Sequence, residues 1–237
     1  MKGKKKIAVL TGAGVSAESG ISTFRDNGGL WDRYDPQVVA SIDGWRADRE
    51  MLLDFYNMQR LQLKDARPNA AHLAIADLEK DYDVTVITQN VDNLHERAGS
   101  TRIIHLHGEL TKVRPEYGEY DRTFSEKEVF DIGYTEIHLG DKAPNGSQLR
   151  PHIVWFGESV PMIEKAIEAV QDADILLIVG TSLQVYPAAG LYRYANWSTP
   201  VYVIDPNELM VRDSRLTHIK ETATKGMETF RKILQEG

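Results

Sequence analysis

The chain has 237 residues, 42% hydrophobic and 27% charged, with a formal net charge of −7 and no cysteine. That composition supports a sizeable globular core, excludes disulfides and any thiolate zinc site, and disfavours nonspecific nucleic-acid binding. No apolar stretch approaches the roughly 18 residues of a membrane span, so neither nucleic acid nor membrane is expected as a partner.

The basic start, Met1 to Lys6, runs directly into Ile7-Ala8-Val9-Leu10. This leaves no room for a signal peptide and, with the lack of cysteine, fits a cytoplasmic protein. Apolar runs of strand length recur at 6–10, 84–88, 102–106, 152–155, 174–179 and 201–205. Helical patterns lie between several of them, notably Pro68 to Lys80 and Pro161 to Asp172, each with Pro near its start. Ile175 to Val179 is continuously apolar, as a central strand covered on both faces should be. The alternation predicts a doubly wound, Rossmann-like parallel sheet of the α/β class. Two stretches break the rhythm. Residues 34–66 read as helical, with Met51, Leu52, Phe55, Gln59 and Gln62 on one face, and residues 111–149 are rich in Tyr, Glu, Asp and Gly. These insertions are expected to form a small subdomain, with a ligand cleft between it and the sheet, inside one catalytic unit spanning 1–237.

The first strand ends in Thr11-Gly12-Ala13-Gly14-Val15-Ser16-Ala17. Gly12 and Gly14 allow a tight turn, and Ala17 fills the third position of a G-x-G-x-x-G/A pattern that places a pyrophosphate on free N–H groups at a helix mouth. Ser16 either caps that helix or bonds a phosphate. Gly180, Thr181 and Ser182 repeat the strand-to-turn arrangement after the apolar run 174–179. Gln89, Asn90 and Asp92 follow the strand at 84–88, where ligands bind in open α/β sheets. Amides and a carboxylate suit ribose hydroxyls and a carboxamide, although Asx side chains also cap loops. Among seven histidines, His72, His95, His138, His152 and His218 read as structural or solvent-facing. His107 stands before Gly108 at a strand end, where a near-neutral imidazole can accept a proton; His105 shares its sheet face.

Taken in order, the glycine turn, Gln89-Asn90-Val91-Asp92-Asn93-Leu94-His95, His107-Gly108, Arg150-Pro151-His152-Ile153-Val154-Trp155-Phe156-Gly157-Glu158 and Gly180-Thr181-Ser182-Leu183-Gln184-Val185-Tyr186-Pro187 resemble the sirtuin family of NAD-dependent protein deacylases. The resemblance runs from Lys6 to about Ile233. It implies NAD as cofactor, acylated lysine in proteins or peptides as substrate, and nicotinamide and an O-acyl-ADP-ribose as products. It makes His107 the catalytic base, assisted by Asn90 and Asp92. It gives Ala13, Ile21, Phe24, Arg25, Asp205, Asn207 and Ala223 contacts with the cofactor beside the glycine turn, Ser16 and Gln89. Phe156, Gly157, Glu158, Leu183 and Val185 would hold the peptide as an added strand. ADP-ribosyl transfer or NAD hydrolysis in the same cleft is the rival reaction, and a non-catalytic NAD sensor the rival of another class.

Three departures from the family pattern bear on chemistry. Residues 108–149 hold no Cys and only His138, so the usual zinc module has no ligand set. Tyr117, Tyr120, Phe124, Val129, Phe130, Ile132, Tyr134 and Leu139 are expected to supply an apolar core there instead. Asp205 stands where many relatives carry Asn, which favours NAD over NADP. Relatives that remove succinyl or malonyl groups hold the acyl carboxylate with Tyr-x-x-Arg; here Tyr56 is kept and Gln59 takes the Arg position. A neutral amide cannot replace a bidentate cation, so acetyl or other uncharged acyl groups are expected, although Arg60, at i+4 from Tyr56, is long enough to reach round.

Overall fold

The computed structural model describes residues 3–21, 34–116, 126–209, 211 and 213–236. In chain order the strands are β1 (Lys6–Thr11), β2 (Asp83–Thr88), β3 (Ile103–His105), β4 (Gly108–Pro115), β5 (Phe130–Asp131), β6 (Leu149–Ile153), β7 (Ile175–Val179), β8 (Val201–Ile204) and β9 (Leu216–Ile219). The helices are α1 (Pro36–Val39), α2 (Ile42–Ala47), α3 (Arg49–Asp65), α4 (Ala70–Asp77), α5 (Leu94–Ala98), α6 (Ile163–Gln171) and α7 (Ala223–Glu236). None of the described helices is long and apolar enough to cross a membrane.

Six strands form one parallel sheet in the order β3-β2-β1-β7-β8-β9. Alternation along each strand divides the core in two. Ala8, Leu10, Leu176 and Ile178 face α6 and the 3-10 segment Ala188–Tyr194. Ile7, Val9, Leu177 and Val179 face α4 and α7 through Ala71, Ile75, Met227 and Phe230. Both faces are dry, so each central strand reads as an unbroken apolar run. Each fully buried Leu or Ile contributes about 1.5–3 kcal/mol. The strand order reverses between β1 and β7, which leaves a crevice beyond their carboxyl ends.

The expected run at 152–155 is not part of this sheet. The strand found there, β6, starts earlier, at Leu149, ends at Ile153, and belongs to a second, antiparallel sheet ordered β5-β4-β6. That sheet packs on α3, and the two insertions share one apolar cluster containing Trp45, Leu52, Phe55, Tyr56, Val113, Ile137 and Trp155. Helix α3 starts on an Asp48 cap that accepts from Met51 N at 2.9 Å. Its buried face carries Leu52, Leu53, Phe55, Tyr56, Asn57, Arg60 and Leu63, while Gln62, expected on that face, is exposed. Phe130, Ile132 and Tyr134 pack against the cluster as expected. Leu139 does not: it is 56% exposed, and Ile137 takes the buried place. Tyr117, Tyr120 and Phe124 lie outside the described residues.

Candidate functional site

Beyond β1 the chain makes two 3-10 turns, Ala13–Val15 and Ala17–Ser19, instead of the expected longer helix. Gly12 N donates to Val179 O at 3.0 Å and Gly14 N to Gly180 O at 2.9 Å, so the two strand-end turns are stitched to each other. A Cβ on Gly14 would come within 2.7 Å of Gly180 Cα, and Gly180 itself has φ of +66°. These glycines are required by the close approach of two backbones, before any ligand is considered.

Ser16 does not cap the following turn. Its buried hydroxyl donates to Asp92 Oδ2 at 2.9 Å and accepts from Asn90 Nδ2 at 3.1 Å, with His72 Nε2 at 3.4 Å. Asp92 Oδ1 accepts from Leu94 N at 3.0 Å. Burial pushes the Asp92 carboxyl above its ordinary value, against the bonds from Leu94 N–H and the Ser16 hydroxyl. Beneath this floor His72 and His95 contact edge to face at 4.9 Å between ring centres, and His95 Nε2 meets Thr11 Oγ1 at 3.1 Å. Burial holds His72 down to about 4 and His95 well below its ordinary value, so both rings are neutral. Sequence reasoning treated these two histidines as structural and missed that they support Ser16 and Thr11. The available signal was the spacing of Asn69 and His72, which form a reciprocal capping box.

His107 lies in the turn between β3 and β4. Its Nδ1 is 2.9 Å from Gln89 O, which fixes the tautomer with the proton on Nδ1. Gln89 N in turn donates to Thr11 O at 2.9 Å. Nε2 is thereby left to act as an acceptor. Burial lowers the His107 pKa, with the Gln89 carbonyl opposing. Gly108 must be glycine, since its φ is +80° and a Cβ would sit 1.9 Å from His152 O. His105 is engaged elsewhere: Nε2 is 2.6 Å from Glu96 Oε1 and 3.8 Å from Glu109. Burial alone would lower its pKa, but Glu96 outweighs that and raises it. Glu96, His105 and Glu109 bring three potential metal-ligand atoms within 4.8 Å of one another. Lys112 pairs with Glu109, so the group carries its own counter-charges.

On the far side of the crevice, Asp205 is buried at the end of β8, where Oδ1 accepts from Asn207 N at 2.9 Å and Asn207 Nδ2 at 3.1 Å. Ala223 is buried at the start of α7. Glu18 joins this corner to the first turn by accepting from Thr224 N at 3.0 Å and Thr224 Oγ1 at 2.7 Å. Thr181 Oγ1 accepts from Leu183 N at 3.2 Å and lies 3.4 Å from Gln89 Nε2. Ala13, Ala17 and Ser182 are at least partly exposed along the same rim, and Ile21 packs on the small cluster. Phe24 and Arg25 lie outside the described residues.

Two exposed edges flank the opening between sheet and small cluster. One carries Phe156, 47% exposed, and Gly157 at φ +91°; the other carries Val185, 41% exposed. Leu183, at φ +56°, turns its side chain into the core of the large sheet, so only its backbone is left for the expected peptide contact. The Glu158 carboxylate does not face this opening. It is clamped by Arg150 Nη1 at 2.7 Å and Nη2 at 2.9 Å, and accepts from Trp155 N at 2.9 Å. Arg150 also stacks on Trp155 at 3.6 Å. Tyr56 is buried too, its hydroxyl donating to Val39 O at 3.1 Å and accepting from Trp155 Nε1 at 2.7 Å. Gln59 Nε2 is buried without a hydrogen-bond partner, and the Arg60 side chain turns inward.

Comparison with known proteins identifies the family. A model of the Sir2 family matches residues 12–187. An NAD-dependent protein deacylase of Bacteroides thetaiotaomicron is 53% identical over 231 residues, covering 97% of this chain and 98% of that protein. One from Helicobacter pylori J99 is 49% identical over 225 residues, covering 94% and 93%. Among solved structures, a Sir2 homologue–NAD complex aligns with a TM-score of 0.85 at 36% identity, covering 98% of this chain and 90% of that one. A mutant Sir2 homologue in complex with ADP ribose aligns at 0.84 and 36%, covering 99% and 95%. A family match across most of the chain, joined to relatives alike over nearly its whole length, means that this chain belongs to the Sir2 family.

Proposed function

We infer that the protein is an NAD-dependent protein-lysine deacylase that favours acetyl and other uncharged acyl groups. The observation that carries this reading is the polar floor of Ser16, Asn90 and Asp92 lying beyond the carboxyl ends of β1 and β2, with the His107 ring bonded to the carbonyl of Gln89, next to Asn90 in the chain. Residues 1–237 act as one catalytic domain, and the insertions 34–66 and 111–149 form its small subdomain.

The residues fit NAD. The paired turns at Gly12–Gly14 and Gly180–Thr181 bring two backbones together at the carboxyl end of the sheet, where a pyrophosphate binds. Asn90 and Asp92 suit the nicotinamide ribose and carboxamide. Asp205 and Asn207 suit the adenosine ribose, with Ala223 beside the adenine, and the Asp205 carboxylate repels a 2′-phosphate. NAD, when bound, supplies an electrophilic ribose carbon with nicotinamide as leaving group and a ribose hydroxyl that accepts the acyl group.

The chain's part is positioning and proton transfer. His107 is neutral at pH 7, and its Nε2 takes the proton of that hydroxyl while Nδ1–H stays on Gln89 O. The acyl-lysine peptide lies as a strand between Gly157 and Leu183–Val185, so recognition comes mainly from main-chain bonds and demands little of sequence. Tyr56 shapes the acyl pocket through Trp155, and Gln59 offers it a neutral amide. The test is mass spectrometry of matched acylated peptides with and without NAD. Loss of the acyl group with formation of nicotinamide and acyl-ADP-ribose is the expected result. Free ADP-ribose with the peptide intact, or a peptide gaining ADP-ribose, would replace deacylation with one of its rivals.

A further inference from the structure

The mechanism makes no use of the most deeply buried cation among the described residues. Arg60 is 0% exposed, on the face of α3 that packs against β4. Its Nε donates to Leu110 O at 2.7 Å and its Nη1 to Asn57 Oδ1 at 2.6 Å, while Nη2 has no hydrogen-bond partner. No carboxylate lies within ion-pair distance of it among the described residues. A guanidinium held only by a carbonyl and an amide is a costly way to fasten a helix to a sheet, since an apolar residue of similar size would do so without desolvating a charge. What distinguishes this position is the set of segments that it joins.

Leu110, which accepts from Arg60, donates its own N–H to Val91 O at 2.8 Å. Val91 sits between Asn90 and Asp92. On the other side Asn57, which accepts from Arg60, brackets one residue of the second insertion, donating to Ile137 O at 2.8 Å and accepting from Ile137 N at 3.0 Å. One planar fork therefore connects α3, β4, the 137 segment and, through a single residue, the loop that carries the nicotinamide-side groups. Arg suits this work because its donors lie in a fixed plane.

We propose that Arg60 is a positioning residue for the Asn90–Asp92 loop, setting that loop from the small subdomain through Leu110 and Val91. The proposal rests on the deacylase reading only for the rates used to test it.

The test uses Arg60→Met and Arg60→Lys in the full chain, with thermal unfolding alongside steady-state kinetics. Losing a bond from a charged donor costs roughly tenfold in an equilibrium, so Arg60→Met should raise KM for NAD about that much. KM for the acyl peptide should stay within about threefold, because the Trp155–Tyr56 side does not depend on Arg60. Arg60→Lys, which still reaches one acceptor, should fall between. A folded Arg60→Met with NAD KM within twofold of wild type overturns the proposal, and so does a uniform loss in both constants. If Arg60→Met does not fold, hydrogen exchange on the wild-type chain decides. NAD binding should slow exchange in peptides covering 135–140, and unchanged exchange there overturns the proposal. A wild-type chain that binds NAD yet removes no acyl group defeats the deacylase reading and leaves the exchange arm standing.

Discussion

Replacing Glu158 by Ala tests whether the edge that carries Phe156 and Gly157, the proposed peptide-binding edge, is held by one buried charge cluster. The carboxylate accepts a bidentate pair from Arg150 and the Trp155 N–H, and lies 3.5 Å from Arg114 Nη2. Side chains of Arg150 and Arg114 are nearly inaccessible to water, so truncation removes the carboxylate that pairs with both of these desolvated cations. Breaking a buried pair in this way costs about 3–5 kcal/mol. For a chain of this size each kcal/mol is worth about 2–4 °C in Tm, which places the loss at roughly 6–20 °C. Glu158→Gln keeps the volume and one acceptor oxygen but no charge, and should recover part of it.

The same cluster fixes a pH dependence. Burial raises the Glu158 carboxyl, but the Arg150 guanidinium outweighs it and leaves the group below its ordinary 4.5. A depressed folded pKa means stability that is fully present above 4.5 and is lost as pH falls through the lower folded value. The wild type should therefore lose this contribution only below pH 4.5, and Glu158→Gln should show a flatter stability curve there. Chemical unfolding monitored by tryptophan fluorescence, with Trp155 beside the cluster, reads the loss at pH 7. Kinetics should show KM for peptide rising more than KM for NAD, because Phe156 and Gly157 sit on this segment. A Glu158→Ala chain within 1 kcal/mol of wild type at pH 7 would refute the reasoning.

His107→Ala should lower deacylation by about 10²–10⁴ while NAD affinity stays within a few-fold; near wild-type turnover alongside a dead His105→Ala would move the base to the other histidine. Because burial lowers the His107 pKa and the neutral ring is the active form, the acid limb of kcat/KM against pH should have its midpoint below 6.5, and a midpoint above that value contradicts the assignment. Gln59→Arg should raise kcat/KM on succinyl peptides relative to matched acetyl peptides, and a clear succinyl preference in the wild type would reverse the acyl reading. Chelators should leave fold and activity unchanged, whereas one equivalent of zinc in elemental analysis, with unfolding on its removal, would restore a metal to the small subdomain.

The doubly wound sheet could be read from the sequence because both its faces are dry. Ile175 to Val179 can be nothing but apolar when helices cover each side. Strand β4 escaped detection for the opposite reason. Its Lys112 and Arg114 find charged partners and alternate with Thr111 and Val113, so no run of hydrophobic residues marks it. The glycine turn was legible but incompletely explained: spacing pointed to a phosphate, while the structure adds that Gly14 and Gly180 must be bare because each fills the space beside the other.

Polar partners across the chain were the least legible, since periodicity reports which face of a helix is apolar and not which cation is buried in it. Arg60 illustrates the difference. Four residues beyond Tyr56, it reads as a long side chain able to reach the acyl pocket and supply the missing charge. In the fold its guanidinium is turned into the subdomain and held by Leu110 and Asn57. Carrying it to the pocket would break both bonds and leave the Leu110 carbonyl and Asn57 without their charged donor, a loss of about 1.5–3 kcal/mol for each. A succinyl carboxylate would have to exceed that sum before any gain appeared. On the proposed function, acyl preference is then left to Gln59, whose Nε2 is buried without a hydrogen-bond partner and whose neutrality suits an acyl group without charge.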